Sequence, residues 1–173
     1  INFATGKRGS PLDYVGFHAK GRPTVVGDHV RMGIQYQLTD IDAGFGIVAS
    51  YPELKQTPII IGESDPEGCA ACSARFHPQN AYRNGTVYSS YTAASFARKY
   101  ALAARHQVNF LGAVTWAFEF ENQPWFDGFR DLATNGVEKP VLNVFRMFGL
   151  MGGQLLPADS SGQVALESIR GEG

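Results

Sequence analysis

Glu63 is the residue whose type and position most directly suggest chemistry. It follows Pro58-Ile-Ile-Ile-Gly62, where three consecutive isoleucines without polar alternation predict a strand buried on both faces. A carboxylate directly after such a strand, next to a flexible glycine, is held rigidly at a cleft. Retaining glycosidases need a carboxylate in that situation as the nucleophile that forms a covalent glycosyl ester. The alternative is a strand-end glutamate that pairs with an arginine.

His18 and Trp116 accompany two other apolar runs of the chain. His18 ends the run that begins at Tyr14, and Trp116 lies within Gly112-Ala-Val-Thr-Trp-Ala-Phe118. Trp116 is either a flat platform for a sugar ring or a packed core aromatic. His18 is either a hydrogen-bond donor to a substrate or a core histidine whose bonds are satisfied.

Glu119 and Glu121 follow the third apolar run and flank Phe120. In an extended segment, residues two apart point to the same side, so the two carboxylates are expected to share a face. They either accept hydrogen bonds from sugar hydroxyls or are simply solvated.

Cys69 and Cys72 form a Cys-Ala-Ala-Cys sequence, a spacing found in redox pairs and in half of a zinc site. A thioredoxin-like motif opens a helix after a strand, whereas this one lies in a loop that contains proline and glycine. A zinc site needs about four ligands, and only His77 lies close by in sequence. We therefore predict structural or incidental thiols, and no metal site.

Composition excludes several function classes. The 173 residues are 44% hydrophobic and 18% charged, which supports a buried core, and their formal net charge of -1 comes without a basic block. We therefore expect no nucleic-acid partner and no anionic membrane partner. The longest apolar run, Phe110 to Phe118, is about half of what a membrane span needs. Neither Gly-x-Ser-x-Gly nor His-Glu-x-x-His occurs, and we predict no cofactor.

Helical patterns separate the apolar runs. The first pattern begins with Asp28 as a plausible N-cap and ends at Tyr51-Pro52, and two more span about 87–106 and 140–150. The apolar stripe of the first pattern consists of Val30, Ile34, Leu38, Ile41, Phe45 and Val48. An alternating segment, Val164–Ile169, then predicts an edge strand.

The β-α-β-α-β-α order predicts an α/β fold with a parallel sheet and right-handed crossovers. A doubly wound sheet and part of a (β/α)8 barrel both fit this order, but no glycine-rich phosphate turn follows any run. A chemically active residue follows every run instead, as at the carboxyl ends of barrel strands. A whole barrel needs about 250 residues, so we predict a partial (β/α)8 barrel.

Several motifs resemble glycoside hydrolase family 39, which contains bacterial β-xylosidases and α-L-iduronidases. The segments that carry the resemblance follow one another in the family's order: Pro11–Gly21 (sixth strand), Pro58–Pro66 (nucleophile strand), Thr115–Phe118 (eighth strand), Phe126–Phe129 and Thr134–Pro140. The run from Glu63 to Cys72 is most similar to the bacterial β-xylosidases.

The resemblance implies that 1–152 supply strands six to eight of the barrel with their helices, and that 153–173 begin a β-rich accessory segment. It implies a retaining, exo-acting glycosidase in which Glu63 is the nucleophile. His18, Trp116 and one of Glu119 or Glu121 would line the sugar subsite. The expected activity is that of a β-D-xylosidase, which releases xylose from the non-reducing end of xylo-oligosaccharides.

Two alternatives stay open beside the xylosidase. An α-L-iduronidase-like enzyme would need a cation for the substrate carboxylate, and Lys20, Arg75 and Arg83 are the nearest candidates in sequence. A carbohydrate-binding barrel without catalysis is the other alternative. The resemblance also suggests a soluble protein of the bacterial cytoplasm or periplasm.

The family's second catalytic carboxyl is not found in this sequence. It belongs to an Asn-Glu-Pro motif after the fourth strand, and the chain contains no Asn-Glu-Pro. The acid/base glutamate is therefore expected from a missing N-terminal part of the same barrel, and this chain alone is expected to be inactive. The chain opens at Ile1 without Met and stops at Gly173, which we also interpret as cuts within a longer protein.

Overall fold

A computed structural model describes residues 5–9 and 12–153. Its elements are β1 (Val15–His18), β2 (Thr24–Val26), β3 (His29–Arg31), α1 (Ile34–Ala49), β4 (Ile59–Glu63), a 3-10 helix (Pro78–Asn84), α2 (Thr86–His106), β5 (Phe110–Ala113), β6 (Ala133–Thr134), β7 (Val137–Glu138) and α3 (Pro140–Leu150). The strand predicted at Val164–Ile169 lies outside the described residues. The same holds for the accessory segment, apart from Gly153.

A parallel three-stranded sheet lies at the centre of the described part, in the order β1-β4-β5. The isoleucine strand β4 is therefore the middle one, with His18 of β1 opposite Glu63 and Phe110 of β5 opposite Ile59. Because the strands are parallel, their carboxyl ends meet at one edge of the sheet. The α/β class with a parallel sheet that the sequence predicts is thus present.

Helices cover one face of this sheet. Ile59 and Ile61 of β4 are fully buried against the apolar side of α1, in a core of Ala19, Ile41, Phe45, Val48, Ile59, Ile61 and Ala103. Gly44 allows α1 to approach β1 closely, since a Cβ there would lie 2.7 Å from the ring of Phe17. The other face is more open, and Leu111 of β5 is 64% exposed.

The first helix begins later than the sequence predicts. Asp28 is not its N-cap but lies in the turn of a β-hairpin, β2–β3, whose strands pair Val26 with His29. Val30, predicted on the helix stripe, therefore belongs to β3. Gly33 separates hairpin from helix, because its φ of 62° is left-handed and a Cβ there would lie 2.4 Å from the carbonyl oxygen of Arg22. The rest of the stripe lies on α1.

The third strand ends earlier than predicted. Sheet bonding continues through Val114, whose amide donates to the carbonyl of Ile61 at 3.0 Å, and then stops. Thr115 and Trp116 bind the side chain of Asp65 instead of a neighbouring strand. Trp116 therefore lies in a loop above the sheet edge.

The remaining helices agree with the sequence to within one residue. Helix α3 packs on α2 through the rings of Phe96, Phe145 and Phe148. None of the helices within the described residues is both long and apolar enough to cross a membrane.

Candidate active site

Glu63 lies at the carboxyl end of the central strand, with its side chain 35% exposed. Lys20, two residues beyond β1, donates a 2.5 Å hydrogen bond from Nζ to Glu63 Oε2. This bond lowers the pKa of Glu63 below its ordinary value of 4.5, against a smaller opposing effect of burial. The carboxylate therefore stays ionised at neutral pH, as a nucleophile requires.

His18 faces the open side of the sheet next to Glu63. Its Nδ1 lies 3.9 Å from Glu63 Oε2, and 60% of its side chain is exposed. Gly62 makes room for the ring, since a Cβ at that position would lie 3.1 Å from Nε2 of His18. Within the described part of the chain, His18 is therefore an exposed neighbour of Glu63 and not a core residue.

Asp65 joins the ends of all three strands, although the sequence analysis did not single it out. Its fully buried carboxylate lies 2.5 Å from Lys20 Nζ, and it accepts a 2.5 Å bond from the Thr115 hydroxyl and a 3.3 Å bond from the Trp116 amide. Lys20 thus bridges Glu63 and Asp65. The available signal was a second acidic residue two positions after the nucleophile candidate.

Arg130 is a second site residue that the sequence analysis missed. Its buried guanidinium lies 3.1 Å from Asp65 Oδ2 and 2.9 Å from Glu67 Oε1, and it donates to the carbonyl oxygen of Trp116 at 2.8 Å. No local pattern indicates this role, because Arg130 lies 65 residues after Asp65 in the chain.

Trp116 is held by its backbone while its ring stays accessible. Its amide bonds to Asp65, its carbonyl accepts from Arg130, and its peptide bond to Ala117 is cis. Trp116 as a whole residue is 53% exposed, and the centre of its ring lies 5.6 Å from that of Phe120 in an edge-on arrangement. The ring of Trp116 is therefore accessible in the described part of the chain, and its role as a sugar platform stays a prediction.

Glu119 and Glu121 are brought together, but not by an extended strand. They line one cavity of about 540 Å³ with Phe118, Phe120, Asn122, Asn135 and Gly136. Glu119 accepts a 2.7 Å hydrogen bond from the amide of Gly136 in the β6–β7 turn, whereas Glu121 lies exposed in a turn of its own. Their connection to the Glu63 cluster is through Phe120, which contacts Trp116.

Lys99 of α2 is a buried amine behind the site. The side chain is 0% exposed, and its Nζ lies 4.4 Å from the centre of the Phe96 ring without a hydrogen-bond acceptor among the described residues. Burial lowers the pKa of Lys99 to about 7, although the charge of Asp65 opposes this. Sequence reasoning missed Lys99, since a lysine within a helix is usually solvated.

Cys69 and Cys72 form a disulfide with their Cα atoms 5.5 Å apart. The prediction of thiols is therefore wrong, because two residues three apart in this tight turn come within bonding distance. The carbonyls of both cysteines accept hydrogen bonds from the buried Arg83. Within the described ranges, no three His, Cys, Asp or Glu side chains are grouped so that they could hold a metal ion.

Neither a scan of protein-family models nor a search of curated proteins returns a match for this chain. The resemblance to glycoside hydrolase family 39 therefore stays a prediction.

Proposed function

We propose that this chain supplies the nucleophile side of a retaining β-xylosidase-like glycoside hydrolase. The observation that carries the proposal is the ionised carboxylate of Glu63 at the end of the central parallel strand. Lys20 holds it in place, and the exposed imidazole of His18 lies beside it. The accessible ring of Trp116 belongs to the loop that Asp65 holds at the same end of the sheet. A rigid carboxylate, a polar imidazole and an accessible indole suit a sugar ring with a reactive anomeric carbon.

Glu63 would act in two steps. Lys20 contacts Oε2, so Oε1 is the atom that attacks the anomeric carbon, forming a C–O ester bond as the glycosidic bond breaks. The leaving oxygen takes a proton from a second carboxylic acid. That same group then removes a proton from water, which attacks the anomeric carbon and releases Glu63, so that configuration is retained.

The second carboxyl group is proposed to come from outside this chain. Asp65 is fully buried between Lys20 and Arg130, and Glu67 pairs with Arg83 and Arg130. An acid/base group must reach the oxygen of the leaving group, and both of these carboxylates are occupied by the neighbouring cations instead. An acid/base glutamate about 5 Å from Glu63, on the remaining part of the barrel, would complete the pair.

Two features of the sheet support a partial (β/α)8 barrel. Parallel sheets are normally covered on both faces or closed into a barrel, yet the helices within residues 12–153 cover only one face. In the described part of the chain, β1 and β5 each pair only with β4. Further strands along these edges would supply partners for their backbone groups and enclose the open face.

A neutral sugar is favoured over a uronic acid. Of the three cations considered for a substrate carboxylate, Lys20 already bridges two carboxylates and Arg83 is buried among backbone carbonyls and Glu67. Arg75 lies 4.0 Å from Asp127. At this distance, and with 61% of its side chain exposed, Arg75 is only weakly paired. Because Lys20 and Arg83 are engaged, xylo-oligosaccharides are the proposed substrates.

The proposal is tested by trapping the covalent intermediate on the complete polypeptide. A 2-fluoro aryl xyloside should add one sugar mass to the peptide that contains Glu63, and Glu63→Gln should abolish the adduct. Labelling of another carboxylate, or turnover that survives in Glu63→Gln, would contradict the assignment.

Turnover of aryl iduronides in preference to aryl xylosides would favour the uronidase. Binding of xylo-oligosaccharides without hydrolysis would favour the non-catalytic barrel.

A further inference from the structure

The disulfide between Cys69 and Cys72 closes a four-residue turn in the loop that follows Glu63. Cys69 is exposed and Cys72 is half-buried, so a reductant can reach the bond from solvent. The two cysteines line a recess of about 290 Å³ together with Pro23, His77 and Gln79.

Arg83 connects this turn to a carboxylate. Its fully buried guanidinium donates to the carbonyl of Cys69 at 2.9 Å and to that of Cys72 at 3.0 Å. The closed turn therefore presents two carbonyls to one guanidinium. The nitrogen that binds Cys69, Nη2, also lies 3.0 Å from Glu67 Oε1.

Glu67 and Arg130 extend the contacts of Arg83 as far as Trp116. The same carboxylate oxygen of Glu67 lies 2.9 Å from Arg130, which in turn binds the carbonyl of Trp116 and the carboxylate of Asp65. Because both guanidinium groups are buried, neither can exchange its partners for water at low cost. Arg83, Glu67 and Arg130 therefore connect the turn to the carbonyl of Trp116 through consecutive contacts.

We propose that Cys69–Cys72 is a thiol–disulfide exchange site for a dithiol reductant of the thioredoxin class, and that the oxidised form holds Trp116 in its working position. The kinetic consequence rests on the proposed glycosidase function, whereas the exchange itself does not.

The exchange proceeds in two balanced steps. A thiolate of the reductant attacks Sγ of the exposed Cys69, the S–S bond breaks, and Cys72 leaves as a thiolate that takes a proton from solvent. The second thiol of the reductant then attacks the reductant's first sulfur, which is bonded to Cys69 in the mixed disulfide. The bond to Cys69 breaks, and Cys69 is released. The cysteines gain two electrons and two protons, and the reductant leaves as a disulfide.

A dithiol is the appropriate partner because of the short spacing. After attack by a monothiol, the thiol of Cys72 lies close to the mixed disulfide on Cys69 and expels the monothiol again. A dithiol escapes this reversal, because its second thiol resolves the mixed disulfide first.

The experiment uses the complete polypeptide under native conditions. It is incubated with a thioredoxin-type dithiol protein and then alkylated with iodoacetamide. Peptide mass mapping should find two carbamidomethyl groups on the peptide of Cys69 and Cys72. The fluorescence of Trp116, taken as the difference between wild type and Trp116→Phe, should change in parallel. For an aryl xyloside, kcat/KM should fall by roughly three- to tenfold and recover on reoxidation.

The matched control is the double variant Cys69→Ser/Cys72→Ser. It should have the Trp116 fluorescence and the kcat/KM of the reduced wild type, and neither should respond to reductant. Should this variant fail to fold, reduction followed by reoxidation of the wild type gives the same comparison.

Two results would overturn the proposal: cysteines that are alkylated only after denaturation, and native reduction that leaves the Trp116 fluorescence unchanged. Absence of xyloside hydrolysis in both redox forms would contradict the proposed function instead. Alkylation and fluorescence would then still decide the exchange proposal.

Discussion

At the scale of single residues, Lys20 contacts both acidic side chains that follow the central strand. One ammonium group contacts both Glu63 and Asp65 at 2.5 Å, so it orients the proposed nucleophile and compensates a buried charge at the same time. Its hydrogen bond is the largest cause of the lowered pKa of Glu63. The consequence is testable in the pH dependence of catalysis.

Lys20→Met should shift the acidic limb of the kcat/KM profile to higher pH. Glu63 must be ionised to attack, and with Lys20 present its pKa lies below 4.5. Removing the ammonium raises that pKa. As the pH falls, Glu63 of the variant is therefore protonated at a higher pH than in the wild type, and activity is lost there. The measurement is kcat/KM for an aryl xyloside across pH 3–8. Lys20→Arg keeps the charge and should keep the limb near its original position. An unshifted limb in Lys20→Met would refute this account.

Trp116→Ala should lower kcat/KM by a larger factor than it raises KM. Loss of the indole removes stacking that orients the anomeric carbon against Glu63, so positioning in the transition state suffers as well as binding. One of Glu119→Gln and Glu121→Gln, but not both, should show a milder loss. A charged hydrogen bond to a sugar hydroxyl contributes about 1.5–3 kcal/mol, and a solvated carboxylate almost nothing.

The control for this prediction is the thermal stability of each variant. If Trp116→Ala lowers Tm while the folded enzyme keeps its normal kinetic constants, the indole serves packing and not substrate. Equal losses in both glutamine variants would contradict the single carboxylate contact.

At the scale of elements, the sequence predicts those strands and helices whose boundaries follow from a local residue pattern. The isoleucine run of β4 and the periodicity of α2 and α3 lead to nearly correct boundaries. The start of α1 was missed because Val30 continues the apolar spacing of the helix by coincidence, while the Gly27-Asp28 turn favours a hairpin.

Some residues of the site could likewise be predicted from a local pattern, whereas others join it only through tertiary contacts. Glu63, His18 and Trp116 follow apolar runs, and parallel strands bring them to one edge. Asp65 and Arg130 join the site through tertiary ion pairs that no sequence spacing encodes. The disulfide was missed because Cys-x-x-Cys spacing alone does not specify the oxidation state.

Gly33→Ala should destabilise the protein more than Gly27→Ala. Both glycines have a left-handed φ, 62° and 64°, so both variants lose about 1–2 kcal/mol to backbone strain. A Cβ at Gly33 also lies 2.4 Å from the carbonyl oxygen of Arg22, whereas a Cβ at Gly27 meets nothing within 4 Å. Urea unfolding of the complete polypeptide measures the difference, which we expect to be about 1–3 kcal/mol. Equal losses would mean that hairpin and helix can move apart.

At the scale of the whole molecule, the described residues leave surface that a folded α/β domain normally covers. The open face of the sheet carries Leu111, and the edges of β1 and β5 present backbone groups without strand partners in the described part. Apolar surface and open edges together favour association with further chain.

The 173-residue chain expressed alone should not behave as a stable monomer. We expect it to aggregate, or to unfold over a broad denaturant range without a cooperative transition, because its edges and open face lack their partners. Sedimentation and urea unfolding followed by circular dichroism test this. A monomer with one sharp transition would show that the three β/α units form a complete domain, and the partial barrel would be abandoned.

The buried amine of Lys99 has a thermodynamic consequence for unfolding. Its pKa is about 7 in the fold and returns to about 10.5 in the unfolded chain. Between these two pH values the unfolded state binds a proton that the folded state lacks, so the free energy of unfolding rises as the pH increases from 7 to 10.5. Below pH 7 the amine is charged in the folded state as well, and the fold carries the full cost of that buried charge. Calorimetry of the complete polypeptide near pH 8.5, in buffers of different ionisation enthalpy, should detect an uptake of about one proton on unfolding. Lys99→Met should abolish that uptake, and an unchanged uptake in this variant would assign it to another group.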